Sequence, residues 1–199
     1  MRKIWICAGL LVSCAINSPA QIPSPGAEIF GGYSYTRVDS GGGFNANGWE
    51  GSVTGNFNRS FGLEADFSQH YATPPAVPAN GNSFFGPHSN GFTFLFGPHF
   101  AFRAIPRVNP FVHFLVGGTR GTATFEGPIP ICQVVPPFPP PAPRTQTSFT
   151  TAAGGGVDVK ATRFIWIRVI QVDYLRQFFS NDGQNNVRVS AGIVFRFGT

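Results

Sequence analysis

The chain has 199 residues, enough for one domain of ordinary size; 12% of them are charged and 15% are aromatic. The formal charge is +5, of which Arg2 and Lys3 supply two, and so mild a surplus argues against a nucleic-acid partner. No 18-residue apolar run lies beyond the first twenty residues, so the sequence indicates no transmembrane helix.

The N-terminus reads as a secretory signal over residues 1–20. Met1-Arg2-Lys3 is basic, "IWICAGLLVSCAI" is apolar, and the small residues Ser18 and Ala20 precede a cut before Gln21. The alternative is a lipoprotein box, "LVSC", that would acylate Cys14. Cleavage after Ala20 leaves Cys132 alone, so no disulfide framework is expected, and residues 21–199 form the remaining domain.

From there the chain alternates. Near 27–37, Ile29, Gly31, Tyr33 and Tyr35 share one face while Glu28, Gly32, Ser34 and Thr36 share the other. Near 48–58, Trp49, Val53 and Phe57 oppose Glu50, Ser52 and Thr54; near 61–71, Phe61, Leu63, Phe67 and Tyr71 oppose Glu64, Asp66, Ser68 and His70. Near 91–102 a row of phenylalanines opposes Thr93, His99 and Ala101, with Pro98 suggesting a local bulge. Near 110–120, Val112, Phe114 and Val116 oppose His113 and Thr119; near 148–160, Phe149, Val157 and Val159 oppose Ser148, Thr150, Asp158 and Lys160. "FIWIRVIQVDYLR" at 164–176 is apolar on both faces at first. Placing Ile170, Val172 and Tyr174 outside puts Gln171 and Asp173 inside and turns Arg168 outward, unless a bulge switches the face. The last strand, 187–198, alternates to its end. Period-two alternation of this kind gives each strand two chemically different faces.

Eight such strands of roughly ten residues match what a tilted strand needs to cross a bilayer. The connections "NRS", "RAIPRVN" and "ATR" are short, and those at 39–47, 73–90, 121–146 and 177–186 are longer, in strict alternation. That is the pattern of an up-and-down transmembrane barrel with both termini at the short-turn side. Pairing the last strand with the first removes the open edge and sets Glu28 beside Arg196 at one end of the interior. The apolar faces then meet lipid, with Tyr33, Tyr35, Trp49, Phe61, Tyr71, Trp166, Tyr174 and Phe197 as girdle candidates. Glu28, Glu50, Glu64, Asp66, His99, Asp158, Lys160, Arg188 and Arg196 form the expected polar network of the lumen, because buried charges must be paired.

With "GGGVDVK", "QVDYL" and the terminal "GIVFRF", this pattern resembles the small eight-stranded outer-membrane barrels, the OmpA-like and opacity-protein-like family, over residues 22–199. The resemblance implies an all-β, eight-stranded antiparallel barrel in the bacterial outer membrane. It also implies that the barrel-assembly machinery reads an aromatic near the C-terminus, here Phe197 with Phe195 beside it; Gly198 and Thr199 follow as a departure. The chain ends at the barrel, so no peptidoglycan-binding domain is implied.

No metal-ligand spacing appears, and the "GGG" runs at 41–43 and 154–156 open no helix, so neither a metal nor a phosphate cofactor is expected. His88-Ser89 is adjacent rather than spaced as base and nucleophile, and the four histidines read as hydrogen-bonding groups of the lumen or loops. "PPFPPPAPR" at 136–144 favours polyproline II, as a rigid loop or a recognition segment. The leading expectation is a non-enzymatic barrel with a structural role or a surface ligand bound through its loops. A small pore is the alternative, and an enzyme ranks third.

Overall fold

The computed structural model describes residues 25–39, 43–72, 78–79, 82–83, 88–124, 144–178 and 183–198. Eight long strands run β1 Ala27–Asp39, β2 Phe44–Asn56, β3 Phe61–Ala72, β4 His88–Ala101, β5 Val108–Thr124, β6 Arg144–Lys160, β7 Ile165–Phe178 and β8 Gly183–Phe197. Each pairs antiparallel with its chain neighbours, and β8 closes on β1, with Glu28 opposite Arg196. A two-residue pair, Pro78–Ala79 with Asn82–Ser83, lies in the β3–β4 connection.

Register sets the size of the barrel. From Ile29 the cross-strand partners run Val53, Ala65, Phe96, Val116, Thr151, Arg176 and Asn185, and return to β1 at Asp39, ten residues further on. With about 3.3 Å per residue and about 4.8 Å between strands, that stagger tilts the strands about 40° and gives a backbone radius of about 8 Å. Such an interior is filled by side chains.

The strands are 12 to 17 residues long and so extend beyond the lengths read from the sequence. The connections 40–43 and 179–182 shrink accordingly and match the turns 57–60 and 161–164 in length; only 73–87 and 125–143 stay long. The short turns are locally specified. Asn58 Oδ1 accepts from the backbone N–H of Ser60 (2.9 Å) and Phe61 (2.8 Å), and Thr162 Oγ1 accepts from Ile165 N–H (3.0 Å).

The bulge expected at Pro98 is corrected, and the alternative left open at Arg168 is decided. No register shift occurs at Pro98; the proline interrupts the β4–β5 ladder while both flanking pairs keep one register. The irregularity sits instead in β7, where the register against both β6 and β8 shifts around Val169 and Ile170. Both residues point outward, so Arg168 and Trp166 turn inward, 3% and 9% exposed. Trp166 is therefore not part of a girdle. An arginine on the lipid face would cost about 2–4 kcal/mol at mid-membrane, and the bulge avoids this.

The result is a molecule with its polarity reversed. Phe67, Phe94, Phe96, Phe114, Val172 and Ile193 are exposed, whereas Glu50, Glu64, Asp66, Asp173 and Arg188 are completely or almost completely buried. A continuous exposed apolar band around a charged centre requires an apolar solvent. Phe57, Phe61 and Phe100 stack at the turn end, and Tyr33, whose hydroxyl donates to Asn47 at 2.6 Å, stands toward the other end with Trp49 and Tyr71.

Candidate functional site

The interior has three storeys, each set by the inward alternation of its strands. At the turn end, Arg196 Nε donates to Glu28 (2.9 Å) and its Nη2 to Asp158 (3.1 Å). Arg103, from the β4–β5 turn, folds into the lumen and pairs with Glu28, and Arg168 Nε donates to Asp158 at 2.9 Å. Aromatic faces flank the cations. The Arg168 guanidinium lies 4.3 Å from the Phe30 ring and 4.2 Å from that of Phe111, and Arg196 lies 3.8 Å from Trp166.

The middle storey centres on Arg188, which has no exposed surface. Its guanidinium donates to Asp66 (2.9 and 3.3 Å), to Asp173 (2.7 and 2.9 Å) and to Ser68 (3.1 Å), with Glu50 3.2 Å from Nε. His113 bridges Glu64 (2.9 Å) and Asp173 (2.8 Å) through its two ring nitrogens. An imidazolium, which donates from both, fits between two carboxylates. Gln171 ties the storeys together. It accepts from Arg168 at 2.6 Å and donates to Glu50 and Asp173 at 2.7 and 2.8 Å. Glycine makes room for this cluster: a methyl group at Gly154 would overlap the Asp173 carboxylate. Above the cluster, Leu95, Leu115, Ala152 and Leu175 form a small apolar layer.

The third storey is a cup of about 360 Å³ toward the loop end. Thr36, Thr119, Ser148 and Gln177 line it, together with Val38, Phe44, Ala46 and Ala72.

Of the residues expected in the lumen, Glu28, Glu50, Glu64, Asp66, Asp158, Arg188 and Arg196 meet in the two lower storeys. His99 is buried there too, but neither ring nitrogen has a hydrogen-bond partner; its ring packs 5.0 Å from that of Phe111. Lys160 is a correction. It is the last residue of β6, exposed at the rim beside Arg107, and joins none of these ion pairs. Alternation marks the face of a strand, not its height, and at Lys160 the inner face has already reached the barrel mouth.

Arg103 is a member that the sequence reading missed, and Arg168 is one whose facing it left open. Arg103 belongs to a turn without periodicity, and Arg168 is hidden by the bulge. His113 and Gln171 had the right face but no assigned partner. His70 meets Ser34 at 2.9 Å, yet Ser34 is completely buried, accepts from Ser190 Oγ at 3.0 Å and faces Glu50, an order unlike a base relaying to an accessible nucleophile. Phe195 and Phe197 are exposed at the turn end of β8. Cys132 and residues 136–143 of the proline run lie outside the described residues, as does the signal segment.

Closure, stagger, lipid-facing band and ion-filled lumen define a small transmembrane β-barrel of the outer-membrane type. The solved structures similar to it are of that kind. Neisserial surface protein A (NspA) superposes with a TM-score of 0.66 at 14% identity over 86% of this chain and 97% of that one. OprG from Pseudomonas aeruginosa gives 0.58 at 11% identity over 88% and 97%. Ail, the attachment invasion locus protein of Yersinia pestis, solved with the heparin analogue sucrose octasulfate, gives 0.56 at 18% identity over 87% and 100%. No protein-family profile matches the chain, and neither does any curated protein.

Proposed function

We propose that this is a non-enzymatic outer-membrane barrel, plugged by its own charges, that serves as a surface scaffold and engages a ligand through the connections at its loop end. The observation that carries the proposal is the middle storey. Arg188, Asp66, Asp173 and Glu50 are buried and spend their hydrogen bonds on one another and on neighbouring side chains, which leaves none of these four free for catalysis or for lining an aqueous path. An eight-stranded interior is filled by side chains, and a wide channel needs about twice the strands. The surface role draws support from the fold, which is shared with an attachment protein solved with a glycan analogue. In this reading the chain is exported by residues 1–20, cut after Ala20, and inserted by the barrel-assembly machinery through Phe195 and Phe197.

Purified protein in planar bilayers tests the plug. The expected result is no stable conductance of general-porin size; such a conductance would overturn the closed lumen. For the surface role, cells displaying the protein are compared with cells in which 125–143 is replaced by a short Gly-Ser linker, at equal folded amounts. Adhesion to immobilised glycans and matrix proteins is expected to fall in the second, and equal adhesion would remove the loop from the proposal.

A further inference from the structure

We propose that the cup at the loop end of the lumen is a binding site for a small neutral saccharide. Three observations point to this chemistry. First, the roughly 360 Å³ cavity is at the small-molecule end of ligand sites, and among the described residues no Asp, Glu, Lys or Arg lines it, His70 being the titratable group of its wall. The nearest charge below, Arg188, already donates from all three nitrogens to Asp66, Asp173 and Ser68. An ion entering the cup would find no counter-charge, while a neutral molecule loses nothing on that account.

Second, the wall carries both apolar and hydrogen-bonding surface, with Thr36, Ser68 and His70 beside the apolar patch of β1–β3 and Leu175 on β7. On β1–β3, Val38, Ala46 and Ala72 form one apolar cluster with Phe44 packed against it. Across the lumen, β5–β7 present Thr119, Ser148 and Gln177. A pyranose ring has the same division: a C–H face that packs on apolar and aromatic surface, and hydroxyl edges that both donate and accept. Hydroxyl and amide side chains also do both.

Third, two hydroxyls of the cup lack partners. Among the described residues Thr36 Oγ1 and Ser148 Oγ find no hydrogen-bond partner, although these residues are only 7% and 4% exposed. Buried polar groups are nearly always satisfied, so these two hydroxyls, one on β1 and one across the cup on β6, are each matched by a ligand hydroxyl or by the water it displaces.

The test uses protein purified from membranes into a detergent without a sugar headgroup, since a maltoside would compete. A panel of neutral hexoses, N-acetylhexosamines and disaccharides is titrated to about 50 mM, enough to saturate a millimolar site, and followed by the side-chain amide NMR signal of Gln177. Saturable shifts are expected from at least one neutral sugar. Glucuronate and glucosamine are expected to bind at least tenfold more weakly, and Ser148→Ala to weaken binding about three- to tenfold. Gly91→Trp blocks the cup without straining the backbone, because a Cβ at Gly91, which lines the cup, meets nothing within 4 Å. This variant is expected to keep the heat-modifiable folded band and lose the shifts. A dextran arm separates a diffusible sugar, excluded as a polymer, from the end of a surface glycan, which dextran would mimic. The proposal fails if no neutral sugar shifts the signal, if the charged sugars bind equally well, or if folded Gly91→Trp binds as before. None of these outcomes bears on conductance or adhesion, so the proposed scaffold function stands or falls separately.

Discussion

Replacing Arg188 by methionine is the sharpest perturbation of the plug. The side chain keeps its length and apolar stem, but Asp66 and Asp173 lose the guanidinium that binds them at 2.7–3.3 Å, and Glu50 loses a cation 3.2 Å away. All three carboxylates are buried, so water cannot replace what is lost. Breaking a buried pair from one side costs about 3–5 kcal/mol, and a loss of about 4 kcal/mol lowers the folding equilibrium roughly a thousandfold. The assay is urea-titrated folding into lipid vesicles, read by the heat-modifiable band and by fluorescence. The triple variant Arg188→Met, Asp66→Asn, Asp173→Asn is expected to recover part of the loss, because two of the three carboxylates that faced Arg188 then need no counter-ion while Glu50 still does. A single variant destabilised by less than about 1 kcal/mol, or a triple variant worse than the single, would refute the plug as the electrostatic centre of the barrel.

Three further outcomes are expected. Gly154→Ala forces aside both the Asp173 carboxylate and the β7 backbone at Val172 and Asp173, and will destabilise the barrel by at least about 1–3 kcal/mol in the same titration, the usual cost of overpacking. Protease added outside intact cells will cut first within 73–87 or 125–143; cleavage within 58–60 or 161–163 would reverse the proposed orientation. Phe197→Ala will slow assembly in cells yet leave refolding in detergent intact, since one exposed aromatic is a small part of the lipid-facing band. Deleting 187–199 will abolish the folded band in both settings, because β8 closes on β1 through this segment and an open edge in hydrocarbon costs several kcal/mol per unpaired backbone group.

The sequence by itself determined the faces of most strands, the strand count and the closure. Each is a local property: two-residue alternation names the inward and outward residues, and the terminal "GIVFRF" can bury its backbone only by pairing with the first strand. It also supplied the acids and the two terminal-strand arginines of the interior. Tertiary structure alone decided who meets whom, and at what height. Arg188 and Asp66 are 122 residues apart, and a ten-residue stagger brings them together. The same stagger leaves Lys160 at the rim although its strand face is inward. The bulge at Val169 and Ile170 falls within a run that is apolar on both faces, so the local pattern left the facing of Arg168 open and set Trp166 outside, and only the closed sheet turns both inward. Arg103 follows no periodicity and finds Glu28 only because the β4–β5 turn folds over the barrel mouth. The cup belongs to the same category. Its apolar patch on β1–β3 and the Thr119, Ser148 and Gln177 side chains of β5–β7 come from opposite sides of the closed sheet, and only closure sets them face to face.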